Sequence, residues 1–310
     1  MLRGGCDNRP VSLGSADAEI DLPPFLLRLG LNAVSAGVRA LGRHRYRLSD
    51  PLANATFALQ PARRRVTIGN FLTVFPELTR REGRRLAAAS YREYARTSID
   101  FLYVHHLSRN RIFAEVRTRG VEANLTSLQL QGRPGILVLI HHGSWDVPAA
   151  ASAVRGIRLT SVMADEGAPW LSQLVIWARR EIGVEVVLVS RSPATLLRQL
   201  RRGGWVALVA DIPGETPSIE VDFLGQRTRF SAAPGILAAR TGTPLVAATC
   251  VRRPTGGYLI EVHPPVEIAP NVDPTEALRR IIPTFEAAVR RWPEQWYPFG
   301  KDLLVGLADD

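Results

Sequence analysis

The sequence predicts an α/β fold: a central, mostly parallel sheet flanked by helices, preceded by a helical N-terminal extension. From residue 135 onward, short apolar runs of strand length alternate with segments of helical pattern, an order typical of parallel sheets. The runs are continuously apolar rather than alternating, as expected of strands that are covered on both faces. A chain of 310 residues is also long enough to bury a substantial core.

An apolar segment at residues 22–48 opens the N-terminal extension. Four polar residues interrupt it, namely Arg28, Asn32, Ser35 and Arg39, so it lacks the roughly 20 uninterrupted apolar residues of a spanning helix. Its basic C-terminal flank favours a helix that lies in a membrane surface. A helix packed on the protein's own core would show the same amphipathic pattern.

A capping box marks the start of the next long helix. Thr79 and Glu82 have the required spacing, so a helix should begin directly after Thr79 and continue to about Leu107. We therefore assign residues 1–110 to the helical extension and residues 111–310 to the α/β domain, and we expect the two to form one structural unit.

The α/β domain is predicted from seven apolar runs and several helical patterns. Predicted strands are 135–140, 158–163, 185–190, 205–210, 219–224, 244–251 and 257–263, and predicted intervening helices are 169–181, 193–202 and 232–241. Near the C-terminus, Asp273 supplies an N-cap and Pro274 occupies the first helical position. The apolar stripe that follows extends to Trp292, with a kink expected at Pro283.

Composition limits the classes of function. Hydrophobic residues make up 46% and charged residues 22%, which is typical of a globular protein. Cys6 and Cys250 cannot form a disulfide framework, which favours a reducing compartment. The net charge of +10 comes almost entirely from arginines in small clusters, and it attracts anionic lipids, nucleic acids or acidic proteins. No nucleic-acid-binding motif is recognisable, so we predict no nucleic-acid partner.

The stretch "LIHHGSWDVPAA" at residues 139–150 is the strongest candidate site. A strand that ends at Ile140 places His141 at the carboxyl edge of the sheet, where open α/β folds bind ligands. Gly143 permits a tight turn, and Asp146 then begins the next helix. Such a turn can bring the carboxylate to one imidazole nitrogen and leave the other free to accept a proton from a hydroxyl or an amine.

Three other interpretations of this stretch remain open. Ser144 is a candidate nucleophile, but no G-x-S-x-G elbow surrounds it. Zinc would need ligands beyond His141 and His142, and no companion Cys or His motif is present, so we predict neither a metal nor a cofactor. The third interpretation is a structural histidine, because one His and one Asp form a weak motif.

The pattern of His141, four residues and Asp146 resembles the H-x4-D/E signature of the lysophospholipid (glycerolipid) acyltransferase superfamily. The string "HHGSWD" resembles the "H-x-G-N-W-E/D" form in bacterial lipid A lauroyl/myristoyl acyltransferases and phosphatidylinositol mannoside acyltransferases. The similarity extends from about residue 62 to residue 297, and it includes "RRRVTIGNFLTVFPELTRREGRRL" and the C-terminal "RRWPEQW".

The resemblance implies transfer of a fatty acyl group from acyl-CoA or acyl carrier protein to a hydroxyl of a glycolipid or lipid A-type precursor. It makes His141 the general base and Asp146 its orienting partner. It also implies substrate-binding roles for Arg179 in "WARREIG", for Asp211 in "ADIPGE" and for Glu220 in "IEVDFLG". For Arg179 and Glu220, a solvated surface charge is the alternative.

Two departures from the family pattern concern the acceptor. Ile212 and Pro213 stand where relatives often have polar residues, and "PEQWYPFGKDLL" lacks the "W-x-x-H/R" ending of lipid A enzymes. An amine, a mannosylated lipid or a secondary metabolite therefore remains an alternative acceptor, and a lipid-binding protein without catalysis is the alternative function. The basic charge and the family together predict a peripheral or monotopic protein on the cytoplasmic face of the bacterial inner membrane, in contact with its anionic surface.

Overall fold

The computed structural model describes residues 24–104, 107–163, 169–189, 192–212, 217–269 and 272–300. The helices are α1 (Pro24–Leu41), α2 (Tyr46–Leu59), α3 (Pro61–Val74), α4 (Arg80–Val104), α5 (Arg109–Glu115), α6 (Ser127–Leu130), α7 (Asp146–Ala153), α8 (Pro169–Glu181), α9 (Ser192–Arg201), α10 (Ala233–Thr241), α11 (Pro274–Arg279) and α12 (Ile282–Arg291). The strands are β1 (Val116–Arg119), β2 (Gly135–Leu139), β3 (Leu159–Met163), β4 (Val184–Leu188), β5 (Trp205–Val209), β6 (Ser218–Phe223), β7 (Gln226–Ser231), β8 (Leu245–Arg252) and β9 (Tyr258–Val262).

A seven-stranded sheet has the order β1-β9-β8-β2-β5-β3-β4, and each neighbouring pair is parallel except β8 and β9. The predicted mostly parallel α/β fold is therefore confirmed. The predicted strand 219–224 corresponds to β6, which pairs with β7 in a separate antiparallel hairpin. Sequence analysis missed β7 because the exposed Arg227 and Arg229 alternate with buried residues and interrupt the apolar run. It missed β1 at the sheet edge for the same reason.

The chain leaves β2 and β5 toward opposite faces of the sheet. On one face, Ile136 of β2 packs in an apolar core with Leu237 of α10, the helix that follows β5 and the β6–β7 hairpin. On the other face, Leu137 of β2 packs with Val147 of α7, the helix that follows β2. Because these helices cover different faces, a crevice forms beyond the carboxyl ends of β2 and β5, which is where open α/β sheets bind ligands.

The described part of the N-terminal extension is helical, as predicted, but residues 24–48 do not form one continuous helix. A 3-10 turn at Gly42–Arg45 separates α1 from α2. Leu31 and Val38 of α1 are buried, so this helix packs one face on the protein. Within the described residues, no helix combines the length and apolar character needed to cross a bilayer.

Helix termini follow the sequence signals closely. The backbone N–H of Thr79 donates to Glu82 Oε2 at 2.8 Å, and α4 begins at the next residue. This helix is described as far as Val104. The sequence places the pair His105 and His106 on the same predicted helix, as structural or surface residues, and both lie outside the described residues.

The helical region near the C-terminus begins at its predicted cap. Asp273 caps α11 by accepting from the N–H of Thr275 at 3.1 Å. The kink expected at Pro283 is instead a break between α11 and α12, with this proline in the first turn of α12.

The boundary at residue 110 between the helical extension and the α/β domain stays a prediction.

A buried ion network joins the helical extension to the sheet. Asp100 of α4 is fully buried and pairs with Arg45 at 3.1 Å and with Arg252 of β8. Tyr46 of α2 donates its hydroxyl to the same carboxylate at 2.7 Å. One carboxylate thus neutralises charges from two elements that are far apart in the sequence. Its removal would leave Arg45 without its buried counter-charge and Arg252 with Glu93 as its partner.

We expect Asp100→Asn to lower the free energy of unfolding by about 3–5 kcal/mol, because Arg45 and Arg252 would lose a buried counter-charge. Asp50→Asn is the matched control, since the Asp50–Arg96 pair is partly exposed and such pairs contribute about 0–1 kcal/mol. Urea unfolding measures both values. Equal losses for the two variants would contradict the assignment of Asp100 as the connecting charge.

Candidate active site

His141 lies at the carboxyl edge of the sheet, directly beyond β2. Its Nδ1 is 2.8 Å from Asp211 Oδ1, and its backbone N–H donates to both oxygens of the same carboxylate at 2.9 Å. Asp211 follows β5 and is buried. Leu139 of β2 lies beside Val209 of β5, so the residues two positions beyond each strand meet. Strand register therefore determines this contact.

The structure corrects the prediction that Asp146 orients His141. Asp146 lies in the first turn of α7, where its Oδ1 accepts from Nε of Arg179 at 2.8 Å. Asp211, predicted as a substrate-binding residue, contacts the imidazole instead. The sequence did contain a signal for this pairing: Asp211 follows an apolar strand as closely as His141 does. It could not show that the two strands are neighbours.

The contact with Asp211 determines which imidazole nitrogen of His141 carries the proton and raises the pKa of the ring. A carboxylate at Nδ1 accepts that N–H, so in the neutral ring Nε2 carries the free lone pair. Burial lowers the pKa of the imidazole, but the charge of Asp211 and its hydrogen bond raise it more, and the pKa lies above its usual value. The side chain keeps 29% of its surface exposed and lines a cavity, so a substrate can reach the ring.

Gly143 allows the turn that follows His141. Its φ is +66°, and a Cβ at this position would lie 1.9 Å from the carbonyl oxygen of Cys250. The C-terminal segment then fixes the turn from outside, because Gly143 N–H donates to Gln295 O at 2.7 Å and Tyr297 N–H donates to His141 O at 3.0 Å. The position of the imidazole thus depends on residues near the end of the chain.

Contacts of the buried His142 and Ser144 bear on two of the three other interpretations of this stretch, zinc binding and a serine nucleophile. His142 is buried and donates from Nε2 to Trp292 O at 3.1 Å, and burial lowers its pKa to about 4. Ser144 is also buried, and its Oγ accepts from Val147 N–H at 3.3 Å, as in a helix cap. No group of three or more His, Cys, Asp or Glu that could hold a metal ion is found among the described residues.

A cavity of about 860 Å³ extends from His141 between the sheet and α7. Its lining is mainly apolar and includes Leu137, Leu139, Ala207, Val209, Ala248 and Ala149. Asp146 and Arg179 line the same cavity. Such a lining suits a long hydrocarbon group. Glu220 is not among the described lining residues; it lies exposed on the β6–β7 hairpin and pairs with Arg227.

Together, the α/β sheet, the paired histidine at its carboxyl edge and the apolar cavity define a class of enzyme that acts on molecules with long hydrocarbon chains. The model of a family described as "Bacterial lipid A biosynthesis acyltransferase" matches residues 23–304, and the chain belongs to this family. It is therefore an acyltransferase of lipid biosynthesis, as the resemblance implied.

Curated relatives agree with this assignment. The chain is 25% identical over 293 residues to a phosphatidylinositol mannoside acyltransferase of Mycobacterium tuberculosis (strain ATCC 25618 / H37Rv), covering 93% of this chain and 86% of the relative. It is also 25% identical over 231 residues to the protein of the same name from Mycolicibacterium smegmatis, covering 73% and 74%. A solved 1-acyl-sn-glycerophosphate acyltransferase from Thermotoga maritima is 17% identical, with a TM-score of 0.38 over 81% of this chain and 99% of that chain.

We expect Asp211→Asn to lower the pKa of His141, because the amide removes the charge that raises the pKa while the burial that lowers it remains. Titration of the imidazole nitrogens by 15N NMR measures this change. Asp146→Asn is the control and should leave the His141 pKa near its wild-type value, since that carboxylate bonds to Arg179. The opposite result, a lower pKa only in Asp146→Asn, would contradict the pairing.

Proposed function

We propose that the enzyme transfers a fatty acyl group from a carrier thioester to a hydroxyl of a glycolipid, with His141 as general base. The contact between His141 Nδ1 and Asp211, which leaves Nε2 free at an apolar cavity, carries this proposal. Nε2 takes the proton of the acceptor hydroxyl while the hydroxyl oxygen forms a bond to the thioester carbonyl carbon. The tetrahedral intermediate then collapses, the C–S bond breaks, and the leaving carrier thiolate takes the proton from the imidazolium.

Asp211 and Arg179 support different stages of this reaction. Asp211 orients the imidazole and stabilises the imidazolium that forms during attack. Arg179 uses Nε to bond Asp146, while its terminal nitrogens have no hydrogen-bond partner within the described part of the chain. Arg179 lines the cavity, and its guanidinium is suited to stabilise the oxyanion of the intermediate. Because the base must be neutral, the rate should increase with pH through the raised pKa of His141.

The substrates follow from charge, cavity and relatives. The net charge of +10 suits both candidate donors, acyl-CoA with its phosphates and the acidic acyl carrier protein. The apolar cavity suits the fatty chain that either donor carries. A phosphatidylinositol mannoside, named in the mycobacterial relatives, is a glycolipid, which supports an acceptor of that class here.

The decisive experiment measures acceptor-dependent thiol release from acyl-CoA and from acyl-acyl carrier protein. We expect His141→Ala to reduce the rate by about 10²–10⁴-fold, the usual contribution of a general base. His263→Ala is the matched control, because His263 follows β9 and is not among the described lining residues of the cavity. Equal rates for wild type and His141→Ala would refute the proposal and favour a lipid-binding protein. A panel of hydroxyl and amine acceptors identifies the acceptor class.

We further propose that α1 and α2 bind the anionic membrane surface, as expected of a peripheral protein at the cytoplasmic face of the inner membrane. Among the described residues, eight of the twelve exposed large apolar side chains belong to these two helices. On α2, Leu48, Leu52 and Leu59 share one helical face and are 60–80% exposed. The neighbouring Arg47 is exposed and can contact anionic headgroups. Apolar side chains beside basic ones are typical of interfacial helices.

We expect the triple variant Leu48→Ser, Leu52→Ser and Leu59→Ser to sediment less with anionic liposomes than wild type, because it loses the apolar face of α2. Leu130→Ser is the matched control, since Leu130 is 83% exposed but lies on α6. Unchanged sedimentation of the triple variant would refute the role of α2, and an equal decrease in both variants would show that binding is not specific to this face.

A further inference from the structure

Aromatic side chains form one wall of the cavity beside His141. Trp145 and Tyr94 line the cavity, and their ring centroids are 6.4 Å apart. The Trp145 ring lies 5.5 Å from the imidazole of His141. We call Trp145 and Tyr94 the aromatic wall. A molecule whose reacting hydroxyl meets His141 Nε2 would therefore have the adjoining part of its structure against this wall.

The aromatic wall is supported from behind but keeps an accessible surface. Tyr297 packs edge-on against Tyr94 at 5.2 Å and against Trp145 at 6.2 Å, and it is almost fully buried. By contrast, Tyr94 is 41% exposed and Trp145 is half-buried. Rings that served only to fill a core would be covered on all sides, so this arrangement indicates a supported contact surface.

The charges beside the aromatic wall are already paired. The imidazole of His141 faces the carboxylate of Asp211, and Arg179 is neutralised by Asp146. Arg155, the remaining charged residue among the described lining residues, lies in the turn after α7, nine residues after Asp146. Next to His141, each charged side chain of the described lining therefore has an oppositely charged partner. A neutral molecule with several hydroxyl groups fits these surroundings.

We propose that the aromatic wall is the acceptor subsite and that it binds a pyranose ring, with Trp145 stacking on the ring face rich in C–H groups. The hydrogens of that face carry partial positive charge, which complements the negative face of an indole. Stacking would hold the sugar so that one of its hydroxyls meets His141 Nε2. This inference rests on the proposed acyl transfer and adds the part of the acceptor that the enzyme recognises.

The experiment compares acceptors that share a tail and differ in the sugar. Octyl glucoside and octyl mannoside carry a pyranose, whereas 1-octanol does not. We expect Trp145→Leu to raise the KM for the two glycosides about two- to tenfold, the range that corresponds to the loss of one aromatic stacking contact. The KM for 1-octanol and for the acyl donor should stay unchanged. Trp145→Phe, which keeps a ring, should restore most of the lost affinity.

Several results would overturn the subsite. An equal rise in KM for the glycosides and 1-octanol would show that Trp145 serves only to pack the cavity wall. A rise in the KM for the acyl donor would show that Trp145 binds the donor's carrier and not the sugar. Binding without turnover separates this inference from the proposed reaction. Saturation-transfer NMR of octyl glucoside on His141→Ala should show saturation of the sugar protons, lost on adding Trp145→Leu. If the sugar binds but the wild type transfers no acyl group, only the proposed acyl transfer is contradicted. If the sugar protons of octyl glucoside are not saturated, the proposed sugar subsite is contradicted.

Discussion

The contact between His141 and Asp211 is the interaction on which the rest of the site depends. Asp211 accepts from both the backbone and the ring of His141, so a single carboxylate fixes the start of the turn and the tautomer of the imidazole. The contact exists because β2 and β5 are neighbours whose helices leave toward opposite faces. The same departure opens the space beside His141 that the cavity occupies.

Distant segments of the chain hold this contact in position. The segment before Tyr297 bonds to the turn after His141 through backbone groups, and Thr97 of α4 donates its hydroxyl to Gly143 O at 3.2 Å. Helix α4 is itself joined to β8 through Asp100. Helix α4 of the extension and the segment around Tyr297 thus both contribute to the geometry of the histidine.

Charge is distributed differently at the surface and around the histidine. The chain is strongly basic, yet the ionisable groups beside His141 occur as pairs, with Asp211 on His141 and Asp146 on Arg179. The cavity is mainly apolar and its dielectric constant is low. A charge that develops on the substrate during the reaction therefore interacts strongly with the hydrogen-bond donors of the site. The unpaired basic charge is left to act at the surface, where it attracts anionic partners.

Local periodicity and capping chemistry were enough to predict the strands of the main sheet apart from β1, the capped helix starts and the position of His141 at a strand end. It also identified the family, which the family model confirms. Which carboxylate faces the imidazole could not be predicted in this way, because it depends on the packing of the strands. Asp146 is close in sequence, but Asp211 is close in space because non-consecutive strands are neighbours. Strand order depends on how helices pack on the sheet, and no local pattern encodes it.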